Sequence, residues 1–128
     1  MVTHHQCGHF GVAAGKLYLA YRSEAALTRY LERPLARFTA QTIVDPDQMR
    51  QVLEAVRQRE YCWAADTFEI GLTAISAPIF GVERHPIACI YICGPTFRFP
   101  KASQKVQIVR LITETCQVIT DKLKERKR

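Results

Sequence analysis

The chain has 128 residues, a formal charge of +6, 48% apolar residues and 23% charged residues. That length fits one domain, and a domain of this size buries roughly two thirds of its unfolded surface, enough for a core without covalent staples. No apolar run reaches the ~18–20 residues of a membrane helix, and Met1 to Cys7 has neither the basic start nor the apolar stretch of a secretory leader.

The five cysteines, Cys7, Cys62, Cys89, Cys93 and Cys116, are odd in number and form no C-x-x-C pair. This usage predicts free, mostly buried thiols and a reducing cytoplasmic location. Much of the positive charge sits in the last seven residues, where Lys122, Lys124, Arg126, Lys127 and Arg128 against Glu125 leave a net +4. Without that stretch the chain is close to neutral. A run of this kind reads as a solvated helix end whose cations complement the helix dipole. No aromatic residue is interleaved with it, so nucleic-acid contact is the minor reading.

In chain order, Val12 to Ala20 reads as a helix or a turn entering one. Ser23 is placed to cap a second helix from Glu24 to about Glu32, with Ala26, Leu27, Tyr30 and Leu31 at helical spacing and Pro34 beyond its end. A third helix is signalled by Asp45 as N-cap, Pro46 at the first helical position and Gln48 completing a capping box. Met49, Val52, Leu53 and Val56 form its apolar face. A short strand is expected around Tyr61 to Ala64. Two β-branched apolar runs follow, Phe68 to Phe80 and Ile87 to Pro95, separated by Gly81-Val82-Glu83-Arg84, which predicts a hairpin. A long helix from about Ser103 to Lys124 ends the chain, with Val106, Val109, Ile112, Cys116, Ile119 and Leu123 as its core-facing stripe. Helices, then strands, then a helix predict an α+β fold, an antiparallel sheet with flanking helices.

Strand parity makes the hairpin specific. If Phe80 pairs with His85 across a four-residue loop, Ala74 faces Tyr91 and Leu72 faces Cys93. Side chains alternate along a strand, so Leu72, Ala74, Tyr91 and Cys93 share one face, while Thr73, Ile75, Ile90 and Ile92 take the other. The second face is aliphatic and is expected to pack on helices.

Several motifs coincide in register. Gly71, Ala74-Ile75 and Ala77-Pro78-Ile79-Phe80 are followed by Ala88 and Gly94-Pro95. Upstream lie Ala13-Ala14-Gly15-Lys16 with Leu19-Ala20, and a stretch from Thr42-Ile43 and Asp45-Pro46 to Val56-Arg57. Together they resemble the effector-binding domain of the IclR family of bacterial transcription regulators, from about Gly8 to Leu123. The resemblance implies a GAF-like sensor domain occupying residues 10–124, preceded by a flexible segment, residues 1–9, and followed by a basic tail, residues 125–128. Family members begin this domain with a linker helix and two further strands upstream of the matched part. They carry Gly where this chain has Glu60, and a Glu is common where it has Thr67. The chain therefore reads as the sensor domain alone or as a truncated product.

The resemblance also implies a site. Its floor matches Leu72, Ala74, Tyr91 and Cys93, and it is closed by the loop at Ala13, Ala14 and Gly15 and the turn from Ala64 to Thr67. Parity and resemblance agree on the floor. The plainer alternative makes Tyr91 and Cys93 ordinary half-buried strand residues. Members that bind small keto acids carry more polar groups at these positions. A less polar or aromatic acid is therefore expected here, its carboxylate at the Gly15 and Lys16 backbone amides. The Lys16 side chain is expected to be structural or solvent-facing.

Other chemistries are poorly supported. His4, His5, Cys7 and His9 form the one metal-like cluster, without the second ligand pair of a zinc site. No cofactor is expected. The sequence holds no G-x-S-x-G, H-E-x-x-H or P-loop. Cys93 and His85 would lie at opposite ends of one strand, about 26 Å apart at ~3.3 Å per residue, too far to act as nucleophile and base. No helix-turn-helix signature is present, so specific DNA binding belongs to a separate domain of a parent regulator. Expected partners are a small organic effector and further copies of the chain in a dimer or tetramer. The alternative is a degenerate module that keeps the oligomer surface and binds no ligand.

Overall fold

Ser23 and Asp45 each open a helix in the manner their sequences predict. The Ser23 side chain accepts a hydrogen bond from the Ala26 N–H (3.2 Å), and the Asp45 carboxylate accepts one from the Gln48 N–H (3.2 Å). The computed structural model describes residues 13–67 and 69–126. The His4, His5, Cys7 and His9 cluster, Phe68 and the last two tail residues lie outside the described residues. Helix α1 spans Ala13–Ala20, α2 Glu24–Leu31 and α3 Pro46–Arg59. Met49, Leu53 and Val56 of α3 are buried against Leu17, Leu19 and Ala20 of α1 and Leu27 and Leu31 of α2.

Strands β1 (Cys62–Ala65), β2 (Leu72–Phe80) and β3 (Pro86–Pro95) form an antiparallel sheet in the order β1-β2-β3. Helix α4, Lys105–Arg126, lies across one face. There Ile75, Ala77 and Ile79 of β2 pack with Ile112 and Cys116 of α4, flanked by Trp63, Ile90 and Ile92. This is the aliphatic face that parity assigns to helix packing. The opposite face carries α1, backed by α3. The fold is thus α+β, with the sheet between two helical layers.

Two expectations about the last helix need correction. Val106 is 77% exposed rather than part of the core stripe. From Val106 through Val109 to Ile112 the spacing is three residues twice, and each step falls about 60° short of a turn. Val106 is therefore rotated about 120° from Ile112 and faces away from the sheet. Thr120, absent from the stripe, is buried instead, and its hydroxyl accepts the Phe80 N–H (3.1 Å). It satisfies a backbone donor beside the hairpin bend.

Glu60 ends α3 in the left-handed conformation (φ 66°) that glycine would adopt freely, its N–H bonded to the Val56 carbonyl at 2.8 Å. A β-carbon there is strained, and Glu60 is held by an ion pair with Arg84. Both side chains are substantially exposed, so the pair contributes well under about 1 kcal/mol. Glu60→Gly is expected to raise stability by about 0.5–1 kcal/mol, read as a higher urea midpoint with an unchanged slope.

Candidate functional site

The hairpin register differs from the four-residue-loop expectation. Phe80 pairs with Pro86, not His85, so the connection holds five residues, Gly81 to His85. One step further, Ile79 pairs with Ala88, which leaves Ile87 as an extra residue on β3. Each irregularity shifts the pairing by one residue, and together they shift it by two. Since the side-chain period is two, the faces are restored. Ala74 lies opposite Cys93 rather than Tyr91, Ser76 opposite Tyr91, and Leu72 opposite Pro95. Leu72, Ala74, Tyr91 and Cys93 still share a face.

The face is ordered in rows across the strands. One row is Ala64, Ala74 and Cys93; the next is Cys62, Ser76 and Tyr91. Ala13, at the start of α1, packs with Ala64, Ala74 and Tyr91. Ala14 and Gly15 are buried beside it. Four small residues in this corner, Ala13, Ala14, Ala64 and Ala74, let the helix start approach the sheet closely. Burial then falls toward β3: Leu72 and Tyr91 are half-buried, and Cys93 is exposed. Access to the face is thus from the β3 side. Cavities of about 290, 450 and 520 Å³ open elsewhere on the molecule and none is lined by these residues.

The turn after β1 is tied by a compact network. Asp66, itself left-handed (φ 57°), accepts hydrogen bonds at Oδ1 from the Gly71 N–H and the Thr96 hydroxyl, each 2.8 Å. The Thr96 and Thr73 hydroxyls lie 2.9 Å apart. Thr39 and Thr42 donate to the Asp66 and Thr67 carbonyls (2.5 and 2.6 Å), which pins the loop before α3 to this turn. Thr67 itself is buried. Thr73 is consequently no neutral position on the opposite face; it belongs to the network that holds the turn from Ala64 to Thr67.

Two residues stand out. Of the two readings of Lys16, structural or solvent-facing, the second is excluded: it is 3% exposed, and burial lowers its pKa, while the nearby Cys62 opposes that shift. Ser76 was missing from the expected floor, yet it lies in its centre, fully buried, with a hydroxyl that has no hydrogen-bond partner among the described residues. A lone hydroxyl residue in an otherwise apolar run, two positions from Ala74, was the available signal. The neighbouring Cys62 thiol is pushed up to about 11 by burial, so it remains protonated at neutral pH and offers no nucleophile. Among the described residues no group of His, Cys, Asp or Glu is arranged to hold a metal, and no helix is long and apolar enough to cross a membrane.

Comparison with known proteins identifies the family and the fold. The sequence profile of the C-terminal domain of IclR-type bacterial transcriptional regulators matches residues 8–121. The Pca operon regulatory protein of Acinetobacter baylyi is 29% identical over 106 residues, covering 82% of this chain and 38% of that protein. The transcriptional repressor IclR of Escherichia coli is 37% identical over 86 residues, covering 66% of this chain and 31% of that protein. The chain thus spans about a third of the length of these curated relatives. Among solved structures, the inducer-binding domain of the PobR transcription factor from Acinetobacter, a double mutant in complex with 3-hydroxybenzoic acid, superposes with a TM-score of 0.80 at 26% identity, covering 88% of this chain and 65% of that one. Thermotoga maritima IclR superposes with a TM-score of 0.77 at 29% identity, covering 89% of this chain and 46% of that one. The chain belongs to the IclR family of bacterial transcriptional regulators and corresponds to the family's C-terminal domain.

Proposed function

We propose that this domain senses a small organic acid of aromatic or weakly polar character, and that in a regulator carrying a DNA-binding domain it biases how an assembly of copies holds DNA. The observation that carries the reading is the sheet face of Leu72, Ala74, Tyr91 and Cys93, roofed at one side by Ala13 and open toward β3. A mainly apolar floor with a few polar groups is the usual make-up of a small-molecule site. The PobR inducer-binding domain, with its bound hydroxybenzoate, supports an aromatic acid as the ligand class.

Tyr91→Ala removes a wall and a hydroxyl from a half-buried position without emptying the core. It is expected to weaken binding of an aromatic acid by about tenfold or more while shifting the unfolding midpoint little. Isothermal titration with hydroxybenzoates reads the first effect and thermal denaturation the second. The matched control is Glu114→Ala on the exposed side of α4, which is expected to change neither. Thr73 does not serve as a control because its hydroxyl is engaged by Thr96. Wild-type affinity in Tyr91→Ala sinks the pocket reading and leaves an interaction module that binds no effector.

A further inference from the structure

We propose that Lys16 and Ser76 form an anion-reading end of this site, where the lysine ammonium and the serine hydroxyl receive the carboxylate of the effector. The proposal rests on the sheet face being the effector floor. It deepens that reading by assigning the charge of the ligand to two side chains outside the expected set.

The first support is an unmet hydrogen bond. The Ser76 hydroxyl is at the centre of the sheet face, fully buried and without a hydrogen-bond partner among the described residues. Buried hydroxyls nearly always find one, so an orphan marks a position where a partner is supplied by something else. The second support is an unmet charge. Lys16 is 3% exposed and is engaged in neither of the ion pairs, Arg50–Glu24 and Arg84–Glu60, found among the described residues. Buried lysines are rare unless paired.

Helix and strand periodicities bring the two groups together. Ala13 sits over the row of Ala64 and Ala74. Lys16 is three residues further along α1, on the same side and nearly one turn on, about 4.5 Å along the axis. The next row on that face lies about 6.6 Å along the strands and consists of Cys62, Ser76 and Tyr91. Lys16 therefore advances from the first row toward the second, and its electrostatic coupling to Cys62, the residue directly opposite Ser76, agrees with that placement. Tyr91 stands next to Ser76 at the half-exposed end of the row. A carboxylate entering from the β3 side past Tyr91 would meet the hydroxyl and then the ammonium, while the ring of an aromatic acid stays toward the exposed Cys93, since Ala13 covers Ala74.

The test compares a charged ligand with its neutral isostere. Binding of 3-hydroxybenzoate and 3-hydroxybenzamide to the whole chain is measured by isothermal titration, with thermal stabilisation by benzoate and acetate in parallel. Hydrogen bonds to a charged group lead to an expected preference of wild type for the acid over the amide by about tenfold or more. Lys16→Met is expected to bind acid and amide alike, and Ser76→Ala to lose about tenfold for the acid only. Both replacements are close in volume and remove a buried polar group, so the fold is retained. Equal affinity for acid and amide in wild type, or an acid preference that survives in Lys16→Met, overturns the anion end and leaves the pocket intact. Indifference of binding to Tyr91→Ala overturns the pocket itself. If wild type ignores all four compounds, both readings fall together.

Discussion

Lys16→Met is expected to make the ligand-free domain more stable while removing its preference for a carboxylate over the neutral amide. A buried ammonium without a counter-charge is held at the expense of its hydration, and methionine fills the same volume with a soft apolar chain. Replacing buried charge by a fitted hydrophobe typically contributes about 1–4 kcal/mol, and each kcal/mol raises the melting temperature of a domain of this size by several degrees, ~3–6 °C. Scanning calorimetry reads the stability, and titration with the acid and its amide reads the loss of preference. A residue kept only for packing would not show this opposition. A lysine retained for ligand binding at the expense of stability would show it.

The pH dependence gives the sign a second check. The Lys16 pKa is lowered in the fold. Below that folded value the full penalty of burying the charge is present. As pH rises from the folded value toward the unfolded 10.5, the unfolded chain holds more protons than the native one, so stability rises. Two other groups act oppositely. Burial raises Cys62 to about 11 and Tyr21 to about 12, with Glu60 adding to the Tyr21 shift, so their contributions are lost as pH climbs from 9 toward 11 and from 10 toward 12. The alkaline limb of wild type is a sum of opposed effects. The difference between wild type and Lys16→Met isolates the lysine, and it should shrink steadily as pH approaches 10.5. A difference that is constant from neutral to alkaline pH would mean that Lys16 is charged in the fold throughout.

Local chemistry was legible in the sequence wherever one residue decides one bond. Ser23 and Asp45 announce their helices because a side-chain oxygen three residues before a free N–H can do little else there. The two faces of β2 were legible for a similar reason, since alternation depends only on parity. The exact pairing was not, because it depends on the bend between the strands. His85 closes that bend through the Gly81 N–H bond to its carbonyl (2.8 Å), and Ile87 is then passed over. Two single-residue irregularities are invisible in a run of apolar residues, and only their even sum preserved the predicted face. The burial of Lys16 was not legible because lysines are usually exposed. What buries it is the packing of α1 between the sheet and α3, a tertiary fact with no local signature. Ser76 was overlooked because its neighbours Ala74 and Ala77 made the strand read as plain core.

Asp66→Ala is expected to be among the most damaging single changes outside the apolar core, at about 2–4 kcal/mol. It deletes the acceptor of both the Gly71 N–H and the Thr96 hydroxyl. Each lost bond to a charged acceptor is worth about 1.5–3 kcal/mol where water cannot replace it, and less here because the site is half-buried. Alanine must also hold φ near 57°, a region that aspartate and asparagine tolerate far better. The damage should spread along the network. The Thr96 hydroxyl then keeps only its contact with the Thr73 hydroxyl, and the carbonyls held by Thr39 and Thr42 lose their fixed positions. Asp66→Asn separates these causes, since it keeps the Oδ1 acceptor and the left-handed tolerance; its cost should stay below about 1 kcal/mol. Urea denaturation measures both variants, and amide exchange across residues 64–73 locates the loosening. A proline-free turn closed by one carboxylate also bears on the proposed sensor. The same segment carries Ala64 at the rim of the floor and feeds directly into β2. An Asp66→Ala protein that stays folded should therefore bind the acid more weakly than Asp66→Asn, and equal affinities would detach this turn from the site.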